Sequence, residues 1–175
     1  SDLEWESPAR DLRPDLAGLV EVADTHNNTL TRLLDDLLDI SRISLKKLKL
    51  QKEIVELRPL IKRARRTVDA LYKSRNHTFT VSIPEERLWI EADPLRFEQI
   101  LVNLLNNSAK YTKSGGRIEL TITHDRNNGL RIAVSDNGIG IEAHMLEKIF
   151  ESFVQSNEGS TGLGIGLSLT KRLVE

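Results

Sequence analysis

The chain contains no cysteine. Disulfides and thiolate metal sites are therefore excluded, and a reducing, cytosolic setting is expected. Histidine is scarce, with only His26, His77, His124 and His144, too scattered to suggest a zinc site. No apolar run approaches the roughly 20 residues that a membrane helix needs. The polar, acidic opening stretch is unlike a signal peptide. A larger parent could still be membrane-anchored; this chain is expected to make no membrane contact itself. A net charge of −1 supplies no single-sign field toward nucleic acid. The 175 residues, 39% hydrophobic and 29% charged, have the balance of a soluble globular protein, with room for one domain plus an appendage or for one large domain.

Patterning divides the chain. Residues 1–14, with Pro8 and Pro14, read as a loose arm. From Asp15, Leu16, Leu19, Ala23, His26, Leu30, Leu33, Leu37 and Ile40 recur at steps of three and four, a heptad seam. Leu34 and Leu38 widen it, which suits a bundle helix over 15–44. Such a helix cannot bury its stripe alone and needs a partner helix, from a second copy or another segment. His26 on this seam reads either as a phosphorylatable histidine or, more simply, as a polar seam position without an acid or base neighbour. Lys46, Lys47, Lys49 and Lys52 have no aromatics among them, so 45–56 reads as a solvated linker with one short strand rather than a nucleic-acid patch.

The texture then changes. Pro59 suits the first turn of a helix ending near Lys73, with Lys62, Arg63, Arg65 and Arg66 on a solvated face. Strands are predicted over 77–83, 87–91, 117–123 and 130–135, the last two joined as a hairpin by Asn127-Asn128-Gly129. Asp93-Pro94 announces a helix running to about Tyr111. Short helices are predicted over 142–151 and 165–175. The fold class expected is an α/β two-layer sandwich, its mixed, partly antiparallel sheet packed against helices, preceded by a long bundle-forming helix.

Three segments carry candidate chemistry. Asn103 and Asn107 are four apart and share a helix face, with Lys110 one turn on. Amide oxygens are hard, neutral ligands that suit Mg²⁺ also held by phosphates, although asparagine pairs on solvent-facing helices are common. Asp136-Asn137-Gly138-Ile139-Gly140 follows a strand. Its glycines permit close approach to a flat ligand, and a buried Asp136 carboxylate could accept a hydrogen bond from an adenine amino group; the same residues also make a plain turn. Gly162-Leu163-Gly164-Ile165-Gly166 opens the last helix, where successive N–H groups form an anion site. Neither glycine motif fits the dinucleotide pattern, and there is no Walker A sequence.

Taken together and in this order, the segments resemble the ATP-binding domain of two-component sensor histidine kinases. That domain belongs to the wider group that includes DNA gyrase and the heat-shock chaperone ATPases, whose fold is of the Bergerat type. The run 93–111 is similar to the N box, Asp136 to Gly140 to the G1 box, Gly162 to Gly166 to the G2 box, and Ile149, Phe150 and Phe153 to the F box. The Leu34 to Arg42 stretch is similar to the second helix of the dimerisation and phosphotransfer hairpin. Phe153-Val154-Gln155 and the stretch after Gly166 are similar in style to hybrid kinases.

The resemblance implies that Asn107 and Asn103 hold Mg²⁺ and phosphate, and that Lys110 and Tyr111 flank phosphates and ribose. It implies that Asp136 pairs with adenine in a pocket shaped by Gly138 and Gly140. Gly162, Leu163, Gly164 and Gly166 would lie at the triphosphate, under a lid over 142–160. Asn103 stands where the gyrase and chaperone branches place a general-base Glu, and an amide cannot deprotonate water. That argues for phosphoryl transfer to a histidine over ATP hydrolysis. A non-catalytic dimerisation or regulatory module is the other reading. None of the four histidines has the acceptor's context, an acidic residue next and a proline shortly after, and the family's two last strands are not among these residues. Transfer to a histidine outside this chain, a response-regulator receiver domain as downstream partner, and a homodimer through the 15–44 helix are the expectations.

Overall fold

The computed structural model describes residues 48–126, 129–154 and 164–175, with scattered positions between 18 and 41 that are all helical. Leu16, His26, Leu33 and Ile40 of the predicted seam, the turn residues Asn127 and Asn128, and Gly162 and Leu163 lie outside the described residues. The seam residues that are described, Leu19, Ala23, Leu30 and Leu37, are exposed, as are the flanking Leu34 and Leu38.

The order is β1 (Glu53–Glu56), α1 (Leu57–Ser74), β2 (Thr78–Ser82), β3 (Trp89–Ala92), α2 (Pro94–Tyr111), β4 (Arg117–His124), β5 (Leu130–Asp136) and α3 (Gly166–Val174). β2 pairs in parallel with β4, and β4 pairs antiparallel with β5 from Ile118↔Asp136 to His124↔Leu130. The predicted hairpin is therefore present, closed by an Asp125 N–H bond of 2.8 Å to the Gly129 carbonyl. β1 and β3 form a separate antiparallel pair, Glu53↔Ala92 to Glu56↔Trp89.

Periodicity explains the layers. Ile118, Leu120 and Ile122 alternate along β4 and are buried, while Arg117, Glu119 and Thr123 face out. Phe79, Val81 and Ile83 join the same buried face. Against it lie Leu57, Ile61, Ala64, Val68 and Tyr72 of α1, and Leu101, Leu105 and Ala109 of α2, at helical spacing. Each fully buried leucine here is worth about 1.5–3 kcal/mol of transfer free energy. Lys62, Arg63, Arg65 and Arg66 point to solvent, as their spacing predicts.

One expectation is corrected. The helix predicted over 142–151 is instead two 3-10 turns, Ala143–Met145 and Lys148–Phe150. Its apolar residues are half-exposed or exposed, so no buried stripe sustains an α-helix there. α1 begins at Leu57 and so holds Pro59 in its first turn, as expected, where a proline lacks only an N–H that would be unpaired anyway.

Candidate functional site

α2 is the spine of the site. Asp93 caps it, its Oδ1 accepting from Leu95 N at 3.1 Å and Arg96 N at 3.2 Å, with Pro94 at the first position. The buried side of α2 turns Leu101, Leu105 and Ala109 to the core. The polar side then carries Arg96, Gln99, Asn103, Asn107 and Lys110, at steps of three and four.

The structure brings the end of α2 to the Asp136 loop. Ile139 N donates to the Tyr111 carbonyl at 3.1 Å. Gly138 packs so tightly there that an added Cβ would stand 2.4 Å from that same oxygen. Gly138 N donates to Asp136 Oδ1 at 2.9 Å, and Gly140 adopts φ +72°, a left-handed backbone that suits glycine. Asn137 ties the loop to β4: its Oδ1 accepts from Arg117 N at 2.7 Å, and its N–H donates to the Arg117 carbonyl at 3.2 Å.

Asp136 is a correction to expectation. The carboxylate is exposed rather than buried. It lies at the last residue of β5, and none of the described residues buries it. Only Oδ1 has a partner among the described residues.

α2 also meets the start of α3. A Cβ on Gly166 would lie 3.6 Å from Asn103 Cγ, so the asparagine amide sits against the first turn of that helix. Asn103 Nδ2 is buried and has no hydrogen-bond partner among the described residues. A buried unpaired N–H group costs about 1–3 kcal/mol. Its position beside a helix N-terminus is one that an anionic oxygen would satisfy. Asn107 is half-buried, and its side chain likewise has no partner among the described residues. Lys110 Nζ lies 5.0 Å from the Tyr111 ring centroid.

Gly164, at φ +67°, is pressed against Val154, whose carbonyl would be 2.5 Å from an added Cβ. The Gly164 carbonyl accepts from Phe153 N at 3.0 Å. The two ends of the segment between Val154 and Gly164 are thus tied together, with Ser152 and Ser168 hydroxyls 3.1 Å apart and Lys171 lying over Phe150.

Sequence reading missed the residues that fix this arrangement from behind. Arg75, in the turn after α1, donates to the Ala109 carbonyl at 3.1 Å and the Lys110 carbonyl at 3.4 Å, so a cation caps the C-terminus of α2. His77 Nε2 lies 3.2 Å from that Ala109 carbonyl, which makes it the donor, and its buried Nδ1 has no partner among the described residues. Tyr72 is buried under the site and donates to the Leu105 carbonyl at 3.0 Å. Burial, and then the nearby Asp136 charge, push its phenol well above the usual tyrosine range. Only the Val68–Tyr72 helical spacing signalled Tyr72; nothing local signalled Arg75. His124 and His144 are exposed. His124 bonds Glu86 at 2.7 Å, and that hydrogen bond holds the Glu86 carboxyl below its ordinary value; His144 pairs with Glu142 at 3.2 Å.

Residues 92–175 match the sequence profile of the family described as histidine kinase-, DNA gyrase B- and HSP90-like ATPase. The chain carries the ATP-binding domain of the sensor histidine kinase family. The adaptive-response sensory kinase SasA of Synechococcus elongatus is 31% identical over 162 residues, 91% of this chain and 42% of SasA. The chain thus spans less than half the length of that curated relative. Among solved structures, full-length ShkA in complex with AMPPNP superposes at TM-score 0.72 and 26% identity, over 99% of this chain and 34% of ShkA. Histidine kinase ThkA in complex with the response regulator TrrA superposes at TM-score 0.67 and 24% identity, over 97% of this chain and 46% of ThkA, a likeness of fold. The mixed sheet packed against helices agrees with these kinases and with the sandwich expected. No helix among the described residues is long and apolar enough to cross a membrane.

Proposed function

We propose that this chain is the catalytic and ATP-binding region of a two-component sensor histidine kinase. It binds Mg-ATP and transfers the γ-phosphoryl group to a histidine outside these 175 residues. The observation that carries this reading is the buried Asn103 amide nitrogen, without a hydrogen-bond partner among the described residues, beside the first turn of α3. It is an N–H donor awaiting an oxygen anion, in a family that binds ATP.

The residues divide the work as follows. Asn103 Nδ2 and the N–H groups of Gly162, Leu163, Gly164 and Gly166 hold the phosphates. Asn107 Oδ1 presents a neutral oxygen to Mg²⁺, with Asn103 as the second candidate ligand. Among the described residues no group of three His, Asp or Glu side chains clusters to hold a metal, so the ion here would rest on amide oxygen, phosphates and water. Bound Mg²⁺ would supply charge neutralisation at the β- and γ-phosphates. Lys110 and Tyr111 flank phosphate and ribose. Asp136 Oδ2 accepts from the adenine amino group, whose ring lies against Gly138 and Gly140; the exposure of that carboxylate suits a site that the base itself completes. The residues over 142–160 act as a lid.

The chemistry balances without a general base from this chain. An acceptor imidazole nitrogen attacks the γ-phosphorus, the bond to the β-phosphate oxygen breaks, ADP leaves, and the ring N–H proton passes to solvent. Asn103 cannot deprotonate water, which disfavours hydrolysis. A response-regulator aspartate is the downstream acceptor, a proposal supported by the fold shared with ThkA bound to TrrA. The 15–44 helix pairs with its copy in a homodimer, 45–56 is the linker, 57–175 is the ATP-binding domain, and the setting is cytosolic.

The test is calorimetric titration of the chain with a non-hydrolysable ATP analogue, with and without Mg²⁺. Saturable binding that Mg²⁺ strengthens is expected. Absence of binding under both conditions would overturn the reading.

A further inference from the structure

Asp39 is the one charged side chain fully buried among the described residues, at 5% exposure. It belongs to the helical segment before the ATP-binding domain, yet its partners are on α2. Asp39 Oδ2 accepts from Arg96 Nη1 and, at 3.1 Å, from Gln99 Nε2. Arg96 Nη1 also donates to Gln99 Oε1 at 2.8 Å, closing a three-residue cluster. Removing a carboxylate from water is costly unless its lone pairs are met; here both donors come from a different element.

A second observation concerns Arg96 itself. It sits in the first turn of α2, where the helix dipole disfavours a cation, and that turn carries no acidic residue. Asp39 adds a second negative charge, from outside the helix, to that of the Asp93 cap. Arg96 and Gln99 also begin the polar stripe that continues through Asn103 and Asn107. At 1.5 Å per residue, Arg96 and Asn107 are about 16 Å apart along one rigid helix.

We propose that Asp39, Arg96 and Gln99 form a buried latch that docks the preceding helix on α2 in one register. Because the same face of α2 carries the candidate phosphate residues, the latch sets where the helical segment sits relative to the nucleotide site. A hydrophobic contact would tolerate sliding along the helix; a buried ion pair with a shared amide does not, since each shift strands a charge. The site can change its position relative to that helix only after Asp39 has let go.

The test uses the 175-residue chain in four forms: wild type, Asp39→Arg, Arg96→Asp, and the exchanged pair carrying both. Amide hydrogen exchange at Leu37 and Leu38 reports docking, and calorimetry with an ATP analogue is run in parallel. Each single variant should lose protection at least about tenfold, because a like-charge pair replaces the ion pair. The exchanged pair should recover most of it. Unchanged protection in Asp39→Arg, or no recovery in the exchanged pair, overturns the latch. Thermal melts that match wild type in the single variants show that protection is lost by undocking; a melt lowered equally in all three variants, without recovery, counts against the proposal. The inference is separable from the nucleotide reading: a chain that binds no nucleotide but shows rescue by exchange keeps the latch and loses the kinase site.

Discussion

Gly138→Ala is the sharpest perturbation of the candidate site. The new methyl would stand 2.4 Å from the Tyr111 carbonyl oxygen and 2.9 Å from its carbon, both backbone atoms that cannot rotate aside. It would also lie 2.8 Å from Asp136 Oδ1. The loop must lift off the end of α2, stretching the 3.1 Å bond from Ile139 N to Tyr111. Overpacking of this kind costs about 1–3 kcal/mol, and the strained hydrogen bond adds roughly 0.5–1.5 kcal/mol. A loss of about 2–4 kcal/mol should lower the melting temperature by about 5–15 °C for a chain of this size. Gly140→Ala is the control. Nothing lies within 4 Å of its added Cβ, so only the left-handed backbone at φ +72° resists it. That costs about 1 kcal/mol. Calorimetric denaturation and ATP-analogue titration of both variants decide the matter. Gly138→Ala should lose both stability and nucleotide affinity, and by more than Gly140→Ala. Equal melting temperatures for the two variants would refute the claim that close backbone approach, rather than turn conformation, fixes this loop.

Three further expectations follow from the same geometry. Asp136→Asn keeps an acceptor for Gly138 N but replaces the outer carboxylate oxygen; nucleotide affinity should fall about tenfold, and an unchanged dissociation constant would sink the adenine assignment. Asn107→Asp should change the Mg²⁺ dependence of binding by placing a charge where a neutral ligand stood, and superimposable magnesium titrations would count against the ligand role. Tyr72→Phe removes the 3.0 Å bond to the Leu105 carbonyl and should cost about 1 kcal/mol near neutral pH. The folded phenol is held above its ordinary value of 10.0, so its contribution is intact below that pH and is lost as pH rises beyond it. The stability gap between wild type and Tyr72→Phe, read from urea midpoints, should therefore shrink above pH 10; a constant gap would show that burial does not disfavour the ionised phenol.

The sequence by itself determined the elements whose signal is local. α2 runs from Pro94 to Tyr111 because Asp93 caps it and apolar residues recur at helical spacing, all within one stretch of chain. β4 and β5 alternate and pair as the hairpin signal required. The candidate phosphate, metal and adenine residues were proposed from the order of three short segments, which resembles that of the kinase family. The tertiary structure alone decided what depends on approach between distant segments. The predicted helix over 142–151 did not form, since a helix that short needs a buried face that packing did not supply. Asp136 proved exposed because burial is set by what packs over a residue, not by its neighbours in sequence. Arg75 reaching the end of α2, Gly138 against Tyr111, and Asp39 buried against Arg96 are likewise contacts between residues 27 to 57 positions apart. Local propensity extends over a few residues; these contacts exist only once the core of Leu105, Ile118 and Leu120 has brought the elements together.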